Sequence, residues 1–161
     1  MVETKIFEPL LEIDEVLDIL SDISIFAGLN DSQLYELFRL LKKVTYNKGE
    51  IVFEQGGEPS YIYVVKSGLI KLVSEQKDTK YELVVFGRGN CFGEASVIGI
   101  QPHAATAIAV EESELIVLSR NTLLSLYKSN LQMFSILIMN IAREVCRRLH
   151  KSDEVLLHYI R

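Results

Sequence analysis

The chain has no tryptophan, two cysteines, three prolines and three histidines in 161 residues. Cys91 and Cys146 lie far apart and make no C-x-x-C spacing. That excludes a disulfide framework and a zinc ribbon, and two reduced thiols in a cytoplasm are the expectation. His103, His150 and His158 form no His-x-His pair, so the clustered imidazoles of a metalloenzyme are missing. There is no G-x-S-x-G elbow and no phosphate-loop lysine motif, and Cys91 beside Phe92 reads as a small packed residue; no enzyme is expected. Positive charge is scarce, 17 Lys and Arg against 22 Asp and Glu, for a net charge of −5. A general nucleic-acid binder needs lysines and arginines to displace counterions, so direct DNA binding is not expected. Apolar runs fall short of the ~20 residues that a bilayer requires, so no membrane association is expected. Met1–Ile6 has no basic stretch leading into an apolar one and does not read as a secretory signal.

What is present is apolar content of 48% with 24% charged residues, enough for one domain over 1–161 that buries its core without staples. Leu10, Ile13, Val16, Leu17 and Leu20 recur at helical spacing from Pro9 to Ile23, with Glu12, Asp14, Glu15 and Asp18 on the other face. This acidic helix forms an N-terminal extension, 1–24, whose carboxylates read as a solvated face. A second helix starts at Asn30 or Asp31, where a short polar side chain caps free amides, buries Leu34, Leu37, Phe38 and Leu41, and ends near Lys43. The period then changes. Runs rich in valine, isoleucine and tyrosine at Val44–Tyr46, Ile51–Glu54, Tyr61–Lys66, Leu69–Glu75, Tyr81–Phe86, Thr106–Glu111 and Glu114–Ser119 alternate with turn signals such as Ser67-Gly68 and Gly87-Arg88-Gly89. Many short strands favour a closed or doubled antiparallel sheet, which hides its edges. Residues 25–120 thus hold a helix and a β-roll, and 121–161 return to helix.

From Leu131 onward, Phe134, Ile138, Ile141, Val145, Leu149, Leu156 and Tyr159 form a long apolar stripe. A helix of that length, ~45 Å at 1.5 Å per residue, outruns a small roll. A symmetric partner helix is the simplest cover for the excess, so a homodimer through this helix is expected.

The chemistry concentrates in Phe92-Gly93-Glu94-Ala95-Ser96 and in Pro102-His103-Ala104-Ala105-Thr106. A short helix opening near Gly93–Ser96 turns unpaired amides toward one point, an anion site that needs no side-chain charge. Gly93 lets the chain approach an anion closely.

These two segments, with the turn glycines Gly49, Gly56 and Gly68 and the stretch from Tyr46 to Gly56, resemble the cyclic nucleotide-binding domain family over roughly Ile25–His150. The resemblance implies a mainly β fold with flanking helices, an eight-stranded antiparallel β-roll (jelly roll) with N-terminal helices and a long C-terminal helix. It also implies a regulatory module that senses cyclic AMP or cyclic GMP, or a related small anion, requires no cofactor, and signals through its C-terminal helix to an unidentified downstream protein. Glu94 would accept a ribose hydroxyl. The amides of Ala95, Ser96 and Ala104 would cage the phosphate, flanked by Phe92, Gly93 and Ala105, with the Thr106 hydroxyl near. Arg143, Cys146 and Arg147 are the candidates on the long helix to cover the base. Arg143, Arg147, Arg148 and Lys151 together make a basic patch that reads as a solvated helix face. Regulators resembling this domain carry a helix-turn-helix after the long helix, whereas this chain stops at Arg161.

One position departs from the family. Where an arginine usually grips the cyclic phosphate, His103 stands. A histidine offers one donor in place of a planar fork and is charged part of the time. If protonated His103 meets the phosphate, affinity rises as pH falls. Two other readings stay open: a dimerising scaffold with a degenerate pocket, and a sensor of a different ligand such as haem, with His103 or Cys91 as the iron ligand.

Overall fold

The computed structural model describes residues 5–10 and 13–160. Glu12 of the expected first helix, and the side chains of Ile13 and Glu15, lie outside the described residues. A two-residue strand β1 (Glu8–Pro9) precedes helix α1 (Ile13–Leu20) and a 3-10 turn at Ser24–Phe26. Helix α2 (Asp31–Leu40) opens on a capping box, with the Asn30 side chain accepting from the Gln33 amide and Gln33 accepting from the Asn30 amide. It stops short of the expected Lys43 because Leu41 turns extended, and Lys42 and Lys43 pair instead with Val117 and Ile116 in the sheet.

The strands that follow are β2 (Lys42–Tyr46), β3 (Ile51–Phe53), β4 (Tyr61–Ser67), β5 (Ile70–Gln76), β6 (Thr79–Phe86) and β7 (Cys91–Phe92). After helix α3 (Glu94–Gly99) come β8 (Thr106–Ala109) and β9 (Ser113–Ser119). Helices α4 (Arg120–Ser129) and α5 (Leu131–Tyr159) close the chain. The strands form two antiparallel sheets, β1-β2-β9-β4-β7 and β3-β8-β5-β6. Nine strands are present among the described residues against the eight expected; β1 and β7, two residues each, are too short to show an alternating period.

Two cores explain the sequence of β4 and β9. Tyr63, Val65, Leu115 and Val117 point between the sheets, where they meet Tyr46, Ile70, Phe86, Phe92 and Ala107. Their neighbours Ile62, Val64, Ile116 and Leu118 point the other way, onto a second core built with Val16, Leu20, Leu37, Phe38, Leu126, Met133 and Leu137. Both strands are therefore apolar on both faces, and they read as continuous apolar runs instead of alternating ones. At the β4–β5 turn, Gly68 has φ +87°, and a Cβ there would fall 2.6 Å from the Glu112 carbonyl oxygen.

Helix α5 begins at Asn130, which caps the Met133 amide and donates to Glu36. Met133, Leu137, Asn140 and Ile141 are buried against the domain, with Phe134, Ile138 and Val145 partly so. The last part of the expected stripe is uncovered: Leu149, Leu156 and Tyr159 are 61%, 58% and 84% exposed. No helix among the described residues is long and apolar enough to cross a membrane.

Candidate functional site

Strand β7 delivers the chain to the first segment. Phe92 is fully buried, and its ring stacks on Tyr63 at 5.2 Å and on Phe86 at 5.6 Å between centroids. It is the floor of the site. Gly93 caps α3 in the left-handed region, φ +82°, with its Cα close over β4: a Cβ would sit 2.9 Å from the Tyr61 carbonyl oxygen. Only this backbone sends the next residue inward. Glu94 follows with no exposure at all, while Ala95 is exposed and Ser96 half-buried on the outer side of the helix.

A buried carboxylate demands an account, because desolvation of an ion is costly unless a charge and hydrogen bonds replace the water. Glu94 Oε2 has no hydrogen-bond partner among the described residues. Its compensation is one ion pair, from Arg148 Nη2 to Glu94 Oε1. The Arg148 guanidinium lies over the Phe86 ring, 5.5 Å from its centroid, and burial pulls its pKa below the ordinary arginine value. Arg148 thus roofs the cassette from α5.

The second segment is pinned by its backbone. The Gly56 amide donates to the His103 carbonyl at 2.7 Å and the His103 amide to the Gly57 carbonyl at 3.0 Å. The His103 side chain is 5% exposed and lies flat on Phe53, 3.7 Å between centroids at 11°. A protonated contact to phosphate is one reading of the sequence at this position. The ring instead extends the aromatic stack, and burial lowers its pKa from 6.5, which favours the neutral form. Ala104 is exposed and Ala105 is buried. Thr106 also departs from expectation: its Oγ1 accepts from the Gln55 amide at 3.0 Å, on the opposite side of β8 from the buried Ala107. In the alternation of β8, Thr106 shares its side with Ile108.

The basic residues of α5 separate by face. Arg143 is exposed and donates to Asn140 Oδ1 at 3.1 Å; Arg147 is exposed and pairs with Glu144; Cys146 is exposed. These three base-contact candidates are exposed, and the partners of the two arginines are on α5 itself, whereas the residue of α5 that pairs with the cassette carboxylate is Arg148, one of the basic patch. Its signal was in the period: Ile141, Val145 and Arg148 continue one helical stripe.

His103 carries a stability prediction. With its folded pKa lowered, the unfolded chain takes up a proton near pH 6.5 that the folded chain refuses. Its contribution is complete above that pH and is lost as pH falls below it. His103→Phe keeps the stack and is expected to flatten the fall in melting temperature between about pH 7.5 and 5. An identical slope in the variant would show that the ring titrates as in the unfolded chain.

Comparison with known proteins bears on this geometry. The model of the cyclic nucleotide-binding domain matches residues 43–130. The "Cyclic AMP receptor protein" of Thermus thermophilus is 28% identical over 130 residues, 80% of this chain and 58% of that protein. The "cAMP-dependent protein kinase regulatory subunit" of Mucor circinelloides is 33% identical over 104 residues, 64% of this chain and 23% of that protein. This chain therefore spans little more than half the length of the first relative and about a quarter of the second. Among solved structures, the N-terminal domain of a transcriptional regulator from Streptomyces coelicolor superposes with a TM-score of 0.70 at 30% identity, covering 86% of this chain and 95% of that one. A cyclic nucleotide-binding domain from Methylobacillus flagellatus has the same fold, with a TM-score of 0.81 at 18% identity over 91% of this chain and 83% of that one.

Proposed function

Since this chain belongs to the cyclic nucleotide-binding domain family, we propose that its cassette binds cyclic AMP or cyclic GMP and that α5 transmits occupancy to a partner. The observation that carries this reading is Glu94: a fully buried carboxylate that meets Arg148 at Oε1 and has no donor at Oε2 among the described residues, directly after the left-handed Gly93. A buried acceptor of that kind calls for a donor, and a ribose hydroxyl supplies one. Gly93, Ala95 and Ser96 flank it in the chain, and the floor of Phe92 and Phe86 is apolar enough for a ring system. The haem alternative is weaker: the His103 ring is covered by Phe53, and burial pushes the Cys91 thiol up to about 11, away from the thiolate that iron prefers.

The signalling half of the reading rests on the free face of α5. Met139, Ala142, Cys146, Leu149, Asp153, Leu156 and Ile160 alternate at spacings of three and four, and all are exposed. That is an a/d seam, and its natural cover is the same seam of a second copy in a parallel two-fold coiled coil. The free thiols Cys91 and Cys146 fit a reducing cytoplasm.

Isothermal titration with each cyclic nucleotide, on protein whose mass in solution is measured by light scattering, tests both halves. Saturable binding to a dimer is expected, with an affinity that changes little between pH 6 and pH 7.5, because the His103 ring lies face to face on Phe53 and presents no donor fork to an anion. Absence of heat with either nucleotide sinks the ligand reading; a monomer at micromolar concentration sinks the coiled coil.

A further inference from the structure

We infer that Arg148, reaching in from α5, is the cation that meets the cyclic phosphate in place of the arginine that the cassette lacks, and that Glu94 holds it ready until ligand arrives. The inference rests on the nucleotide reading above. At position 103 the side chain is an imidazole closed face to face on Phe53, so it presents no fork of donors to an anion. Among the described residues the cation at the cassette carboxylate is Arg148. Its guanidinium is positioned from three directions: the Glu94 carboxylate, the face of Phe86, and the α5 backbone, whose neighbouring residues Ile141 and Val145 pack on the domain. A planar, permanently charged fork in a water-poor site is the group best suited to a phosphodiester.

In the free chain one carboxylate and one guanidinium neutralise each other through Arg148 Nη2 and Glu94 Oε1. When the phosphate enters, the guanidinium, which carries five N–H donors, turns a second edge to it while staying beside Glu94, whose other oxygen accepts from the sugar hydroxyl. Ligand recognition and helix position then share one residue, since Arg148 is followed immediately by Leu149 of the exposed seam.

The test compares a cyclic nucleotide with its uncharged nucleoside, because a phosphate contact moves only the first. Titrations of cyclic AMP (or cyclic GMP, whichever binds tighter) and of the matching nucleoside are run on the natural protein, Arg148→Gln, and Arg148→Gln with His103→Arg. Arg148→Gln is expected to weaken cyclic nucleotide by about 10- to 100-fold, the worth of one charge-assisted contact, while nucleoside affinity stays within about twofold. The added arginine at 103 is expected to recover part of the loss. Unchanged cyclic nucleotide affinity in Arg148→Gln overturns the inference and leaves the nucleotide reading standing, as does an equal loss for nucleotide and nucleoside, which marks a structural role. Natural protein that binds neither cyclic nucleotide overturns the nucleotide reading, and this inference with it. Should circular dichroism show Arg148→Gln unfolded by its orphaned carboxylate, Glu94→Gln is compared with Glu94→Gln/Arg148→Gln on the same ligands and read by the same criteria.

Discussion

Alanine in place of Gly93 is expected to cost about 2–4 kcal/mol of folding stability and to abolish measurable binding at the cassette. Two penalties add. An L-residue held at φ +82° pays roughly 1–2 kcal/mol against glycine. The new Cβ also lands 2.9 Å from the Tyr61 carbonyl oxygen, too close for any carbon, while Tyr63 Cδ2 at 3.5 Å and Phe53 Cε1 at 3.6 Å are in ordinary contact. Tyr61 cannot step aside, because its strand is hydrogen-bonded to β9 at Ser119 and is apolar on both faces. The strain must therefore fall on α3, which shifts outward and takes Glu94 away from Arg148. At a few degrees of melting temperature per kcal/mol, the expected drop is roughly 5–15 °C. Gly99→Ala, at the other end of the same helix, is the control: its Cβ meets nothing within 4 Å, so it should leave stability within about 0.5 kcal/mol. Equal melting temperatures for the two variants would show that the left-handed cap does not set the cassette.

The difference between these two glycines cannot be read from composition, and it marks where sequence reasoning stops. Strand positions were legible where β-branched and aromatic residues run between turn signals, as from Tyr61 to Lys66, even though both faces of that strand are buried. The long helix was legible too, because Leu131 to Tyr159 keeps one period across 29 residues. The cassette was legible as a motif, since a glycine before a glutamate and a Pro-x-Ala-Ala-Thr run constrain backbone more than side chains. Orientation was not. Arg143, Arg147 and Arg148 look alike in a string, and only the phase of the helix against the roll sends Arg148 onto Glu94 and leaves the other two on the outer face. His103 marked a departure from the family, and the sequence left open whether its ring meets an anion. Its burial against Phe53 follows from a three-dimensional stack through Phe92, Tyr63 and Phe53, whose members come from three strands. Thr106 failed for a simpler reason: β8 alternates, and Ala107, not Thr106, faces the core.

The residue that fixes this phase sits inside the apolar stripe and is polar. Asn140 is buried at 7% exposure, and its amide nitrogen donates to the Ile25 carbonyl at 3.1 Å and the Ala27 carbonyl at 2.7 Å. One turn along, Ser24 donates to Glu144 at 3.1 Å, so α5 is bolted to the 3-10 turn at two levels. Asn140→Leu keeps the branching at Cγ, with bulkier methyl groups, and adds apolar surface, yet it strips two carbonyls of their donor. Leaving such groups unsatisfied costs about 1–3 kcal/mol each, against a gain of roughly 1 kcal/mol for the added apolar burial, so a net loss of about 1–5 kcal/mol is expected. Asn140→Asp should be worse, because a carboxylate donates nothing and repels both carbonyls, whereas Arg143→Ala, removing an exposed side chain, should stay within about 0.5 kcal/mol. Denaturant titration of the three variants gives the order. Hydrogen exchange adds what a stability number cannot: if Asn140 sets the helix, amides around Arg148 should lose protection in Asn140→Leu under conditions where those of β4 and β9 remain protected. Leucine tolerated within 1 kcal/mol, with α5 protected as before, would mean that apolar packing alone holds the helix and that the position of Arg148 over Glu94 owes nothing to this buried amide.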